Sequence, residues 1–451
     1  MAADCAWRRL LDAFLIAFPT LGADEAPPVR PAANSWVTDD ELEGESLELC
    51  LQHLGKHNIP FPLAAAVARA TADRVSQLDL STVQREKRAA DGEAEPLQYD
   101  AYQLASLVCN TEREVCADWV KNIPKVSEQP HYLTTSVHAV RNSRRKMEDR
   151  HVVLPDFNTL FGLPDLENRA YFAVFDGHGG AEAASYAATH LHVNLARQDS
   201  MAADPVRALR EAFTITDTNF IQKAAREHLR SGTTAMVALM HGLWLHLAWV
   251  GDSQALLVRG GQPVEVVSPH KPDCVDEKRR IEELGGCVVW FGAWRVNGTL
   301  AVSRAIGDSD YKPYICSDAE CRSLLLDGFE DYLLLGCDGF FDTVRSDEAV
   351  ALVSEYLRKS TGEVSGLAQH LVSAARVAGS SDNITVIVIF LRDPVALASG
   401  QNFEAPESSG DVGEVTAAGV GLKGTESAGD CEKPRPANEL DHDDSTKAEF
   451  V

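Results

Sequence analysis

Positive charge is scarce in this sequence. Against 67 Asp and Glu stand 42 Lys and Arg, a net charge of −25 over 451 residues. That balance argues against a nucleic-acid footprint and against binding to an anionic membrane surface. No apolar run approaches the ~18 residues of a membrane-spanning helix. Met1–Leu21 is apolar enough to suggest a leader, but Asp4 precedes Arg8-Arg9 and Asp12 interrupts the run, so none is expected. The ten cysteines form no C-x-x-C pair and no cysteine–histidine set at zinc-finger spacing. They read as reduced thiols of a cytosolic or nuclear protein, which makes the sequons Asn297-Gly298-Thr299 and Asn383-Ile384-Thr385 coincidental. There is no G-x-G-x-x-G and no P-loop lysine spacing, so nucleotide-dependent transfer is unsupported. No internal repeat is visible.

What is present divides into three stretches. Residues 1–130 carry 21 acids and 12 bases and read as an acidic helical region, separate from the rest and suited to regulation or docking. Trp7, Leu10, Leu11, Phe14 and Leu15 share one helix face. Thr38 with Glu41 is spaced as a capping box before Leu42, Leu47, Leu51 and Leu54. Leu63–Leu80 is alanine-rich and lacks Gly and Pro, Ser81–Pro96 reads as a loop, and Asp100–Lys121 is a further helix striped by Leu104, Leu107, Val108, Val115 and Trp119. From about residue 131 to 395 apolar strands alternate with helices, among them Val206–Glu227, Ser346–Lys359 and a shorter Asp276–Leu284 stopped by Gly285-Gly286. Residues 396–451 hold 12 acids and 4 bases among Gly, Ser and Ala, the composition of a disordered acidic tail.

Chemistry is concentrated at the ends of apolar runs. Tyr171–Phe175 stops in Asp176-Gly177-His178-Gly179-Gly180. Leu247–Val250 leads to Asp252, and Tyr332–Leu335 leads to Asp338, while Asp382-Asn383 opens Ile384–Phe390. A D-G step alone is most often a turn with a capping Asp. Several strands that deliver acids at their ends instead suit a metal site built from oxygen ligands. Asp176, Asp338 and Asp382 are the direct ligand candidates, and hard carboxylates without Cys partners favour Mg²⁺ or Mn²⁺ over zinc. In Arg144-Arg145-Lys146-Met147-Glu148-Asp149 a guanidinium is available to grip phosphate oxygens, with Glu148 and Asp149 holding metal-bound water. Two ions about 4 Å apart, bridged by a carboxylate and a water, would activate that water for in-line attack on phosphorus. His178 would supply the proton that a poor alkoxide leaving group needs.

Taken in order, the motifs resemble the metal-dependent, type 2C family of Ser/Thr protein phosphatases. They are R-x-x-M-E-D (144–149), Y-F-A-V-F-D-G-H-G-G (171–180), S-G-T-T-A (231–235), W-V-G-D-S (249–253), H-K-P (270–272), V-N-G-T-L-A-V-S-R-A-I-G-D (296–308), L-G-C-D-G-F-F-D (335–342) and S-D-N-I-T (381–385). The resemblance implies an α+β fold, a four-layer α/β/β/α sandwich of two antiparallel sheets with a dinuclear Mg²⁺ or Mn²⁺ site at one end. It implies that Asp176 bridges two ions, one also bound by the Gly177 carbonyl, that Asp338 and Asp382 complete the other, and that Glu148 and Asp149 act through waters. It further implies Arg144 on substrate phosphate, His178 as general acid, Asp252 with Asp338 on a weaker third ion, and a flap between His270 and Arg295 beside the site.

Within the family the likeness extends to the branch acting on protein kinases, through A-V-R-N-S-R-R-K-M-E-D-R-H, F-N-T-L-F-G-L and Ala293–Gly298, although that branch's long glutamate run is missing here. This implies calmodulin-dependent and p21-activated kinases as phosphorylated substrates and PIX exchange factors as partners. A pseudophosphatase scaffold for kinase-signalling partners would lack one of Asp176, Asp338 and Asp382, and all are present. A two-metal nuclease would need a basic groove.

Overall fold

A computed structural model of the chain describes residues 2–22, 25–32, 35–84, 96–124, 133–164 and 167–399. Most of the Ser81–Pro96 loop and almost all of the acidic tail lie outside the described residues. The described residues fall within one compact unit.

The N-terminal stretch contains α1 (Ala2–Ala17), β1 (Trp36–Thr38), α2 (Leu42–Lys56), α3 (Phe61–Val75), β2 (Gln98–Asp100) and α4 (Ala101–Lys121). The Thr38/Glu41 capping box forms only by half. Thr38 N–H donates to the Glu41 carboxylate at 3.1 Å, but Glu41 itself occupies the cap position, and the helix starts one residue later. Asp100 caps α4, its carboxylate accepting from the Tyr102 and Gln103 amides. Helix α3 stops at Val75, short of the Leu80 expected.

The remaining strands form two five-stranded antiparallel sheets. One has the order β15 (Glu320–Leu325), β9 (Trp244–Val250), β8 (Ala235–His241), β5 (Arg169–Phe175), β4 (Arg150–Leu154). The other runs β11 (Gln262–Glu265), β10 (Gln254–Arg259), β16 (Glu330–Gly336), β17 (Ile384–Phe390), β3 (Thr135–Val140). Short strands β6 (Gly177–His178), β7 (Gly232–Thr233) and β14 (Ile306–Gly307) make a small third sheet, and β12 (Val288–Trp290) with β13 (Trp294–Val296) make a hairpin.

Continuous apolar runs are needed because the central strands are covered on both faces. Phe172, Val174, Met236, Leu247 and Trp249 of one sheet meet Leu257, Leu333, Leu335, Ile387 and Ile389 of the other. Their alternates point outward. Tyr171, Ala173, Phe175, Val237 and Val250 pack under α6 (Glu182–Ala196) and α7 (Pro205–Glu227), with α5 (Phe157–Phe161) beside them. Leu256, Leu334, Val386 and Val388 pack under α10 (Ser346–Ser360) and α11 (Leu367–Val377). The result is the expected α/β/β/α sandwich. The short helices α8 (Val275–Glu283), α9 (Asp338–Phe341) and α12 (Pro394–Ala398) sit in its connections.

The change of pattern near residue 130 is not a break in packing. Leu47, Leu49 and Cys50 of α2, Ala65, Ala68 and Val75 of α3 and Leu104 and Val108 of α4 belong to the same core cluster as Phe157, Leu191 and Tyr171.

Candidate active site

One end of the sandwich gathers the strand termini. Asp176 follows β5, Asp338 opens α9 after β16, Asp382 precedes β17, Asp252 follows β9, and Glu148 lies in the loop before β4. All of these line one cleft of about 650 Å³, together with Arg144, Gly177 and His178. Asp149 is buried beside them: one ligand atom each from Asp149, Asp176 and Cys337 fall within 4.8 Å of one another. Every acid singled out in the sequence therefore converges here.

The supporting contacts come from residues far apart in the chain. The Asp176 carbonyl accepts from the Thr234 amide at 2.9 Å and the Thr233 hydroxyl at 3.0 Å, while the Asp176 amide donates to the Thr234 hydroxyl at 3.2 Å. The S-G-T-T motif is thus a clamp on the aspartate turn. Gly177 is required by crowding, since a Cβ there would lie 2.5 Å from the Glu148 carbonyl oxygen. Asn383, which the sequence reading left without a role, ties the basic loop down: its amide nitrogen donates to the Arg141 and Lys146 carbonyls, and its side-chain oxygen accepts from the Glu148 amide at 2.7 Å. Arg150 holds the same loop through the Met147 and Asp149 carbonyls. The Thr385 hydroxyl donates to Asp149 at 2.7 Å. Arg144 is exposed and pairs with Asp382 at 2.6 Å.

His178 makes a second discovery of the fold. Its Nε2 lies 2.7 Å from Oδ2 of Asp308, a fully buried side chain on left-handed backbone (φ 52°). Asp308 is the last residue of V-N-G-T-L-A-V-S-R-A-I-G-D, and nothing local signals its partner 130 residues away. Burial by itself would lower the imidazole pKa, but the Asp308 hydrogen bond and charge overcome that and hold it raised.

The H-K-P segment is divided in function. His270 is structural, its amide donating to the Gly251 carbonyl and its ring facing Glu320 at 3.2 Å. Lys271 pairs with Asp342 at 3.1 Å. Glu277 of the flap is clasped by Arg280 and by Arg304 beyond it, and these pairs outweigh its burial and bring its carboxyl down to about 2. Ile281 and Val288 of the flap share a small core with Val296, Val302, Ala305 and Ile315 of the segment that follows. The flap's hairpin tip leaves Trp290 and Phe291 exposed, and Arg295 of β13 lines the cleft.

The acids raise one another's pKa. Burial first, then Asp338 and Asp149, push Asp176 well above the carboxylate range. Burial and Asp338 raise Asp252 to about 7 against the opposing Lys271, and burial, aided by Asp338 and Asp382, raises Asp149 to about 6. Burial likewise raises Asp338, which shares a hydrogen bond with Asp176. Like charges crowded at low dielectric are relieved by protons or by cations. The buried Cys337 thiol is pushed up too, and it donates to the Asn383 carbonyl, so the donors on offer are oxygens. The residues fit hard divalent cations.

Comparison with known proteins agrees with this arrangement. The family model described as Protein phosphatase 2C matches residues 133–384. Protein phosphatase 1E of Mus musculus is 54% identical over 427 residues, covering 94% of this chain and 56% of that protein, so the chain spans just over half the length of this relative. Protein phosphatase 1F of Homo sapiens is 50% identical over 403 residues, covering 87% of this chain and 88% of that one. Among solved structures, a C. elegans sex determining protein superposes with a TM-score of 0.67 at 23% identity over 88% of this chain and 96% of its own, which speaks to the fold alone. Motifs, sandwich, clustered acids and sequence matches agree: this chain belongs to the protein phosphatase 2C family.

Proposed function

We infer that this chain is a metal-dependent protein phosphatase that hydrolyses phosphoserine and phosphothreonine. The observation carrying this reading is one cleft that joins mutually repelling carboxylates, an exposed arginine and a histidine whose basicity is raised by a buried aspartate. Asp176, the Gly177 carbonyl, Asp338 and Asp382 would hold two Mg²⁺ or Mn²⁺ ions, with Glu148 and Asp149 acting through waters and Asp252 with Asp338 serving a weaker third. When bound, such ions neutralise phosphate charge and lower the pKa of a water.

The chain's own groups do the rest. Arg144 is on the exposed side of the cleft and exchanges its Asp382 partner for two phosphate oxygens, a match to the guanidinium fork. His178 keeps Nε2 on Asp308, which leaves Nδ1 to deliver a proton to the departing serine or threonine oxygen. The buried Asp308 carboxylate orients the ring and favours its protonated form, as an orienting acid does in other proton-transfer pairs. Likeness to the kinase-directed branch supports calmodulin-dependent and p21-activated kinases as substrates, PIX exchange factors as partners, and a cytosolic or nuclear location.

The test is release of inorganic phosphate from a phosphothreonine peptide by the full chain, with and without Mn²⁺. Turnover that requires the ion is expected. A folded chain that binds Mn²⁺ and releases nothing would establish a pseudophosphatase scaffold instead.

A further inference from the structure

Away from the cleft, α2 and α4 bring together a second set of metal-binding side chains. Cys50 and His53 are three apart on α2, and Cys109 and Glu112 are three apart on α4, so each pair shares a helix face. These faces meet: His53 Nδ1 lies 2.5 Å from Glu112 Oε2, and one ligand atom each from His53, Cys109 and Glu112 fall within 4.8 Å of one another. Cys50 lies one turn before His53 on the same face, and after burial the nearby Glu112 is the next cause that pushes its thiol up. Exposure is 1% for Cys50, 2% for His53, 5% for Cys109 and 0% for Glu112.

A buried His–Glu hydrogen bond accounts for Nδ1 and Oε2 and for nothing more. Among the described residues Glu112 Oε1 and His53 Nε2 find no hydrogen-bond partner although both are buried, an arrangement that costs free energy unless something else satisfies them. The Cys109 thiol converging on the same carboxylate is also left unexplained. We propose that Cys50, His53, Cys109 and Glu112 form a structural metal site suited to Zn²⁺, stapling α2 to α4. Two i, i+3 ligand pairs on facing helices are an established way to build a metal centre inside a helical bundle. Mixed sulfur, nitrogen and oxygen donors suit tetrahedral zinc, whereas the cleft offers oxygen alone. At bond lengths of about 2.0–2.3 Å, tetrahedral ligands stand about 3.5 Å apart, so His53 Nδ1 and Glu112 Oε2, 2.5 Å apart as a hydrogen-bonded pair, separate by about an ångström when an ion replaces their shared proton. Phe14 and Phe18 cover the imidazole with ring centroids 5.0 and 4.6 Å away, which keeps water out. Four protein ligands leave no open position, so the site holds structure and performs no reaction. Ordering α2 and α4 would matter beyond the bundle, because both helices contribute to the core that reaches Tyr171 of β5.

Co²⁺ is the probe, since thiolate-to-cobalt charge transfer cannot arise from an all-oxygen site. The metal-free, folded full chain is titrated with Co²⁺ under reducing conditions and followed by absorption, then challenged with Zn²⁺. A near-ultraviolet charge-transfer band with intense visible bands is expected, saturating at one ion per chain and bleached by one equivalent of Zn²⁺. The Cys50→Ser/Cys109→Ser double variant should lose the band and Cys109→Ser should weaken it, while Cys116→Ser and Asp176→Asn should retain it. Weak absorption typical of oxygen ligands alone, in the wild-type chain, overturns the proposal whether or not any variant folds. An undiminished band in folded Cys109→Ser, or a band that persists in the folded double variant, overturns the ligand set. The readout does not use phosphatase activity, so it stands or falls apart from the proposed reaction.

Discussion

Two regions of this protein bury carboxylates and treat them in opposite ways. Where α2 and the segment before it meet α6 and α7, Glu41, Glu43 and Glu227 each have a base. Lys223 sits between Glu41 at 3.0 Å and Glu227 at 3.1 Å, and Glu43 is gripped by Arg69 and Arg197. Burial would raise Glu43, but the two guanidiniums more than offset that and hold it below its ordinary value. In the cleft the neighbours of Asp176 are Asp338, Asp149 and Asp252, and burial with mutual repulsion drives the carboxyls upward. Paired charges at the seam serve the fold, and unpaired like charges in the cleft await a ligand. A pKa moved by a partner of opposite sign and one moved by its own kind therefore carry different meanings.

The sharpest way to break that contrast is Asp176→Asn. Turnover should fall roughly a thousandfold or more, because charge stabilisation at the reacting phosphate is the largest contribution to such reactions. In EDTA the same variant should melt at a higher temperature than wild type, since repulsion with Asp338 and Asp149 is removed. Near-normal kcat, or a lower Tm without metal, would contradict the assignment of this cluster as a cation site.

At the seam the opposite sign is expected. Lys223→Met leaves Glu41 buried without its cation and should destabilise the chain by about 3–5 kcal/mol in urea unfolding. Its kcat/KM, measured well below the transition, should stay at the wild-type value. A stability change under about 1 kcal/mol would mean the ion pair is merely tolerated by the fold.

The His178–Asp308 pair lies between these cases, being a charge pair within the cleft. His178→Ala should slow phosphopeptide hydrolysis by roughly 100-fold or more and spare p-nitrophenyl phosphate, whose leaving group needs no proton. Asp308→Asn removes the partner that keeps the imidazole protonated, so the alkaline limb of the kcat profile should move to lower pH. Equal losses on both substrates, or an unmoved limb, would leave His178 a structural residue.

The smallest effect is the pH dependence of the metal-free chain. Asp149 and Asp252 titrate near 6 and 7 when folded, above their ordinary 3.8, so the native state binds protons more tightly than the unfolded one. Their contribution is fully present below the unfolded value and is lost as pH rises through about 6 to 7. In EDTA, Tm should therefore be a few degrees higher near pH ~5.5 than near pH ~7.5, and saturating Mn²⁺ should reverse that order. A Tm in EDTA that climbs steadily over this interval would show that these carboxyls are not repelling one another.

The central strands and the identity of the acids are legible in local composition. A run such as Tyr171–Phe175 declares its burial through local composition, and the Asp-Gly that ends it is adjacent in the chain. The helices over Val206–Glu227 and Asp100–Lys121 were equally legible, because amphipathic spacing and a capping Asp are short-range signals. What holds those acids in place is set by contacts distant in the chain. The contacts from Asn383 to Arg141, from Thr385 to Asp149 and from His178 to Asp308 span 242, 236 and 130 residues. No periodicity encodes such separations, because hydrogen-bond partners are chosen by which strand ends the sandwich brings to one pole. The same reason separates the two expectations about the N-terminal helices. Their apolar stripes are visible in the sequence, but that Leu47 and Leu104 join the core beneath Phe157 and Tyr171 depends on a docking surface assembled from α5, α6 and β5, which no local pattern encodes.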